Sequence, residues 1–390
     1  MSWTDPLIEA DRQFTICNAC RYCEGHCAVF PAMEMRRAFT NADLSYLANL
    51  CHDCQACYHH CQYAPPHEFA VNLPRVLSQL RTDTYVQCAW PRAFGKAFRN
   101  NGAVTALATA LCLIIVLMAT IALVDGGVLF AAHSGAGAFY AVIPHDVMAW
   151  SFGLAFGYAI LAMVMGYRRF KALTGDDGTV TAGFGSATGD AATMRYMEGG
   201  GGAGCTYPGE APSTLRRWFH HMTAYGFGLC FAATSVATVH HYVFDWIAPY
   251  SWLSLPVVLG TTGGIGLIIG PIGLLVLNHR ARAAARAEAA AEGTAEEHGP
   301  DDPDRMTLDT GFALLLLLTS VTGLALLVWR DSTAMGMLLA VHLGVVMALF
   351  VTLPYGKFIH GIYRFAALQR YARENKVAGD AVQVAGNGGE

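Results

Sequence analysis

Six stretches free of Asp, Glu, Lys and Arg recur along the larger part of this chain, at residues 104–124, 147–167, 222–244, 256–278, 311–329 and 333–355. Each holds 19 to 23 mostly apolar residues. That is enough for one helix to cross the hydrocarbon of a bilayer with its backbone polar groups paired inside the segment. Residues 1–102 contain no such stretch, and the basic, aromatic run WPRAFGKAFRNNG stands just before the first one. The pattern predicts an all-α chain in three parts: a soluble module over 1–102, a six-helix transmembrane bundle over 103–366, and a polar, flexible tail over 367–390. GTTGGIGLIIG in the fourth stretch predicts close helix packing, and Pro271 just after it predicts a kink. The Gly-rich segment 172–214 reads as a flexible loop or as a surface that docks on the soluble module. Residues 281–305 read as a short Ala/Arg/Glu helix followed by an acidic spacer.

Charge sharpens the picture. Charged residues make up 14% of the chain and hydrophobic residues 54%, whereas a soluble protein carries about 25% charged residues. A net charge of −4 without a polybasic tract argues against a nucleic-acid partner. The opening MSWTDPLIEADRQFTIC lacks the basic and apolar regions of a secretory signal. With the N-terminus in the cytoplasm, 24 of the 25 Lys and Arg fall in the inside segments and only Arg330 lies outside. The positive-inside rule therefore predicts a multi-pass protein with both termini cytoplasmic.

Eight of the twelve cysteines lie between Cys17 and Cys61, in CNACRYCEGHC and CHDCQACYHHC, an internal repeat with an offset of 34 residues. Cys-x2-Cys-x2-Cys-x3-Cys is the spacing of thiolates around iron–sulfur cubes. Three close cysteines wrap one cluster, and the fourth ligates the other. The expected sets are Cys17, Cys20, Cys23 with Cys61, and Cys51, Cys54, Cys57 with Cys27, holding two 4Fe–4S clusters. Disulfides fit poorly in a reducing cytoplasmic module, and zinc would leave half the cysteines surplus. The prolines, Pro31 and Pro65, come four residues after each run rather than directly after it. The 23 residues between Cys27 and Cys51 pattern as helix, with Asn41 as an N-cap. A helical ferredoxin-like module is therefore expected. His26, His52, His59, His60 and His67 among the ligands read as surface residues or donors to cluster sulfur.

Ionisable residues inside a bilayer are costly and mostly functional. His220 and His221 open the third apolar stretch, His240 and His241 close it, His342 lies within the sixth, and His360 follows it. Haem b takes two axial imidazoles, commonly from neighbouring helices. On one continuous helix, His342 and His360 would face the same way, about 27 Å apart. The antiparallel third stretch would offer His220/His221 opposite His360 and His240/His241 near His342. One haem or two, one near each leaflet, would fit. Histidine pairs at span ends are also ordinary interfacial residues, and His145 and His279 are weaker candidates. Of the remaining cysteines, Cys88, Cys112 and Cys230 read as apolar filling, and Cys205 is the one to test for reactivity.

The paired cysteine repeat, GGGGAGCTYPGE, RRWFHH, FAATSVATVHHY, LSLPVVLGTTGGIGLIIGP and LPYGKFIHGIYR closely resemble, in this order, the membrane protein B of tricarballylate and citrate utilisation systems. The resemblance covers nearly the whole chain. It implies a bacterial inner-membrane iron–sulfur and haem protein. Such a protein reoxidises the reduced FAD of a flavoprotein that converts tricarballylate to cis-aconitate, and passes the electrons to the quinone pool. The residues agree in outline: no Gly-x-Gly-x-x-Gly fingerprint opens a helix and no catalytic triad is present. The chain reads as an electron-transfer subunit of an oxidoreductase, with Tyr355, Lys357 and His360 as candidate quinone contacts. The alternative is a membrane redox sensor without quinone reductase activity; a transporter would need charged or broken-helix sites at midplane.

Overall fold

A computed structural model describes residues 5–179, 181–197, 204–206, 211–292 and 303–387. Among them the secondary structure is helical, apart from one isolated antiparallel bridge between Cys205 and Ser213. The N-terminal module holds α1 (Pro6–Cys20), α2 (Val29–Glu34), α3 (Asn41–Leu50), α4 (Ala56–His59) and α5 (Leu73–Cys88). Local chemistry sets their ends. Asp5 caps α1 by accepting from Leu7 N at 3.0 Å, with Pro6 in the first turn. Asn72 caps α5 by accepting from Arg75 N at 3.3 Å. The expected cap of α3 at Asn41 is displaced by one residue. Thr40 accepts from Asp43 N at 3.2 Å while the Asp43 carboxylate accepts from Thr40 N at 3.2 Å, a reciprocal capping box. Phe14, Met33, Tyr46, Leu47, Leu50 and Leu77 fill the core of the module.

The rest is α6 (Asn101–Leu123), α7 (Gly126–Leu129), α8 (Ala138–Val142), α9 (His145–Leu173), α10 (Phe184–Thr193), α11 (Leu215–Phe244), α12 (Leu255–Glu292), α13 (Pro303–Val328), α14 (Met335–Thr352) and α15 (Ile359–Asn387). Six helical segments are long and apolar enough to cross a membrane, each covering one of the six apolar stretches. Leu107, Leu111, Ile114, Ile115 and Met118 stand exposed along α6, a stripe that suits lipid and not water. Glycines bring α11 and α12 into contact, as the small-residue run predicted. A Cβ on Gly263 would lie 2.7 Å from the Gly226 oxygen and 2.8 Å from Cys230 N. One on Gly266 would lie 3.0 Å from the Met222 oxygen.

Three connections differ from expectation. α12 runs unbroken through Pro271 to Glu292, so the Ala/Arg stretch extends a span and is no separate helix; the acidic spacer at 293–302 lies outside the described residues. The helix after His342 stops at Thr352, passes through a 3-10 turn at Leu353–Tyr355 and restarts at Ile359. Pro354 has no N–H to continue the ladder, and Gly356 follows in extended conformation. His342 and His360 therefore do not share one helix face. The segment after α9 is ordered where described: α10 packs on α15 and Ala187 is fully buried.

The tail expected to be flexible is also helical, through Asn387. Ala367, Leu368 and Gln369 are buried, and α15 lies against α3 of the N-terminal module. Arg36 pairs with Asp43 and with Glu374, each at 2.7 Å. Arg370 pairs with Glu374 at 2.8 Å, and its guanidinium lies 4.2 Å from the Tyr46 ring centroid. Each guanidinium bridges Asp43 and Glu374, and such a network holds more firmly than isolated surface pairs.

Replacing Gly263 by Val should lower the thermal midpoint in detergent, because overpacking of backbone against backbone costs about 1–3 kcal/mol. Gly228→Ala, whose Cβ meets nothing within 4 Å, should leave it unchanged. Equal midpoints for the two variants would show that the α11–α12 contact is not tight.

Candidate functional site

The cysteine repeat folds as a repeat. Cys17 and Cys20 lie near the end of α1, which terminates at Arg21 with φ 56°. Cys51 caps the end of α3, and Gln55, the counterpart of Arg21 one repeat on, has φ 62° before α4 places Cys57. Left-handed residues are uncommon outside glycine, and here they turn the chain sharply within each run. His26 Nε2 and His60 Nδ1, each beside the fourth cysteine of its run, hydrogen-bond at 3.0 Å.

Two groups of thiols result. Burial pushes the Cys17 thiol up to about 12, with Cys61, Cys23 and Cys20 adding to the shift. Cys27 and Cys57 are raised well above the ordinary thiol range by burial and by Cys54 and Cys51. The neighbours that shift each cysteine are mainly members of its expected ligand set. Thiols held protonated in this way must lose protons to bind iron, so cluster loading should grow more favourable as pH rises. Among the described residues no three His, Cys, Asp or Glu side chains close on a single metal ion. A cube distributes its thiolates over separate irons, so its ligands stand wider than those of a mononuclear ion. The first group lines an open cavity of about 430 Å³ with Tyr22, Tyr63 and Leu73. In the second, Cys51 and Cys54 are buried.

A second cavity, of about 390 Å³, lies where the module meets the helix ends. His52 and Asp53, from within the second cysteine run, form part of its wall, with Arg81 of α5, Arg216 and His220 of α11, Asp309 of α13, and His360 and Arg364 of α15. The His220 and His360 rings have centroids 5.9 Å apart at 75°. His360 Nδ1 is bonded to the Lys357 carbonyl, which leaves Nε2 for other partners. His220 Nδ1 is buried with no hydrogen-bond partner. Burial, then Arg364, pulls the pKa of His52 well below the ordinary imidazole value, so this ring is neutral. Lys357 pairs with Asp309 at 2.5 Å.

The other candidate histidines lie elsewhere. His221 Nε2 bonds the Ala192 carbonyl at 3.3 Å and its ring stacks on Tyr225. His240 sits edge-on to Trp246, and His241 stacks on His145 with centroids 3.8 Å apart. His342 Nδ1 bonds Thr322 Oγ1 at 3.0 Å, and its ring lies against Gly323. Among the described residues His342 has no ring contact with His240 or His241. The structure thus brings together His220 and His360, and not the outer set. Tyr355 hydroxyl is taken up by Tyr158 and the Trp90 carbonyl, at 2.7 and 2.9 Å. Cys205 is fully buried, donates to the Met197 carbonyl at 3.1 Å and packs in one cluster with Cys54, so this part of the Gly-rich segment does pack on the soluble module.

Sequence reasoning passed over the arginines. Arg364 donates to the Cys51 carbonyl at 2.7 Å, Arg216 donates to the Asp53 carbonyl, and Arg81 donates to the Ala48 carbonyl at 3.2 Å. The available signal was Arg-x-x-x-His at 216–220 and His-x-x-x-Arg at 360–364. Each spacing puts the two side chains one above the other on a helix face.

A family model described as "Citrate utilization protein B" matches residues 99–381, and one described as "Citrate utilization protein B Fer4-like domain" matches residues 10–87. The curated Citrate utilization protein B of Escherichia coli is 49% identical over 384 residues, covering 98% of this chain and 96% of that protein. No solved structure matches the chain.

Cys61→Ala should remove the cluster of Cys17, Cys20 and Cys23, and Cys27→Ala the other, each leaving about half the iron and acid-labile sulfide. If the residual electron paramagnetic resonance signal of Cys27→Ala matched that of Cys17→Ala instead of Cys51→Ala, the cross-ligation would be wrong.

Proposed function

The chain belongs to the citrate utilization protein B family, and from that membership we propose that it reoxidises the reduced FAD of a tricarballylate dehydrogenase-like flavoprotein and delivers the electrons to the quinone pool. The coarse function is iron–sulfur electron transfer in a membrane protein. The finer reading is that two 4Fe–4S clusters lead to one haem b held by His220 and His360. Its place is the bacterial inner membrane with the module in the cytoplasm, supported by 24 of 25 basic residues on the module's side of the predicted spans.

One observation carries the reading: the second cysteine run and the His220–His360 pair share the wall of one cavity. The residues fit a bis-imidazole haem. The two rings, on different helices, meet edge to face, the Lys357 carbonyl fixes the tautomer of His360, and His220 keeps a buried nitrogen without a partner. Haem b supplies a one-electron centre between clusters and a two-electron acceptor. The chain's own residues do the rest. Cys17, Cys20, Cys23 and Cys61 present the first cluster at an open cavity where a flavoprotein can approach. Cys51 and Cys54 hold the second away from water. Arg81, Arg216 and Arg364 fix the peptide between that cluster and the histidines. The outer histidines lie in separate surroundings, which supports one haem over two.

Membrane vesicles holding the protein and supplied with reduced partner flavoprotein should reduce a soluble quinone analogue. Cys17→Ala and His360→Ala should each lower the rate by about a hundredfold or more, as loss of a required centre does. Absence of transfer with clusters and haem intact would favour a redox sensor and sink the relay.

A further inference from the structure

We propose that the 3-10 turn Arg92–Phe98, together with Arg99, is a seat for the headgroups of anionic phospholipids, through which the bilayer surface grips the N-terminal module. The inference uses the membrane spans and is independent of the haem.

Position gives the first argument. Asn101, at the start of α6, donates from its side chain to the Tyr355 carbonyl at 2.9 Å, so the first apolar stretch begins at the level where the sixth ends. That level is the hydrocarbon boundary on the module's side. The Phe94 ring lies 5.3 Å from that of Tyr355, and the Trp90 ring 6.4 Å from that of Tyr158. Trp and Tyr gather where hydrocarbon gives way to headgroups.

The turn has two sides. A 3-10 helix repeats every three residues, and burial follows that period. Phe98 faces inward, 1% exposed, with its ring 5.6 Å from that of Tyr85. Gly95 faces the same way, and a Cβ there would lie 2.6 Å from the Val86 oxygen. Ala93, Lys96 and Arg99 form an exposed row, with Arg92 and Phe94 exposed beside it. The close approach at Gly95 fixes this row relative to α5, so whatever holds the row holds the module.

Charge selects the occupant. Residues 89–102 contain three basic residues, Arg92, Lys96 and Arg99, and no acidic one. Arg99 pairs with Asp83 at 3.0 Å, but its side chain is 62% exposed. Such a pair is weak in water, and a guanidinium has N–H groups enough for a phosphate as well. Three cations beside an exposed phenyl ring at the hydrocarbon boundary complement a phosphodiester above an acyl chain. A zwitterionic headgroup brings its own ammonium group and gains less.

The test titrates full-length protein, with clusters loaded and in a neutral detergent, and follows the thermal midpoint. The probes are dioctanoyl phosphatidylglycerol, dioctanoyl phosphatidylcholine and inorganic phosphate. Phosphatidylglycerol should raise the midpoint at concentrations at least about tenfold lower than phosphatidylcholine, and phosphate alone should leave it unchanged. Arg92→Gln and Lys96→Gln should each weaken the anionic lipid by about fivefold, whereas Lys96→Arg should not. Phe94→Ala should weaken both lipids alike. Arg37→Gln, which removes an exposed charge elsewhere on the module, should change nothing. Because half-effect concentrations are compared within each variant, a general loss of stability cancels. Equal action of the two lipids, or a rise with phosphate alone that matches phosphatidylglycerol, overturns the seat. So does an effect of Arg37→Gln as large as that of Lys96→Gln.

Discussion

Three arginines from three helices hold the carbonyls of one short turn, and the junction between the two halves of the molecule depends on them. Arg81, Arg216 and Arg364 reach the carbonyls of Ala48, Cys51 and Asp53 around the end of α3. A helix C-terminus leaves its last carbonyls without intrahelical partners and carries partial negative charge. Guanidiniums there satisfy both needs at once. The same contacts fix the second cysteine run against α11 and α15, so the positions of that run and of two imidazoles are set by one group of bonds.

A bilayer and a metal cluster both write strong patterns into a sequence, and those parts were legible. Long uncharged runs are required where no water can reach the backbone, so all six long apolar helices could be found, although α11, α12 and α13 extend beyond the apolar runs by 7, 14 and 8 residues. Cysteine spacing follows the cluster it serves, so an iron–sulfur module could be recognised. What the sequence concealed depended on where the chain bends and what it bends onto. Pro354 and Gly356 look harmless at the end of an apolar run, yet they separate His342 from the helix of His360. Thr40 and Asn41 are both good caps, and only the reach to Asp43 chooses between them.

Part of the Gly-rich segment is tightly packed where it is described. Gly204, at φ +105°, lies so close to the Ser213 backbone that a Cβ would stand 2.5 Å from its carbonyl atoms. This glycine lets Cys205 pair with Ser213 and reach Cys54. At Gly204 a glycine marks close approach of backbones, a property that composition alone cannot distinguish from looseness. The polar C-terminal stretch misled in the same way. Its charges are the Arg36–Glu374–Arg370 network that ties α15 to the N-terminal module.

That last helix sets a timetable for biosynthesis. Cys61 completes the cysteine set early in translation, whereas His360 and Arg364 follow some 300 residues later. At ordinary elongation rates the interval is on the order of tens of seconds. Throughout it the second cysteine run lacks the arginine that closes over Cys51 and the helix that covers α3. A ribosome stalled anywhere before α15 would leave a nascent chain with its thiols gathered and their lid unmade. Maturation of the clusters must therefore either wait for the C-terminus or proceed in an exposed module that the final helix later seals.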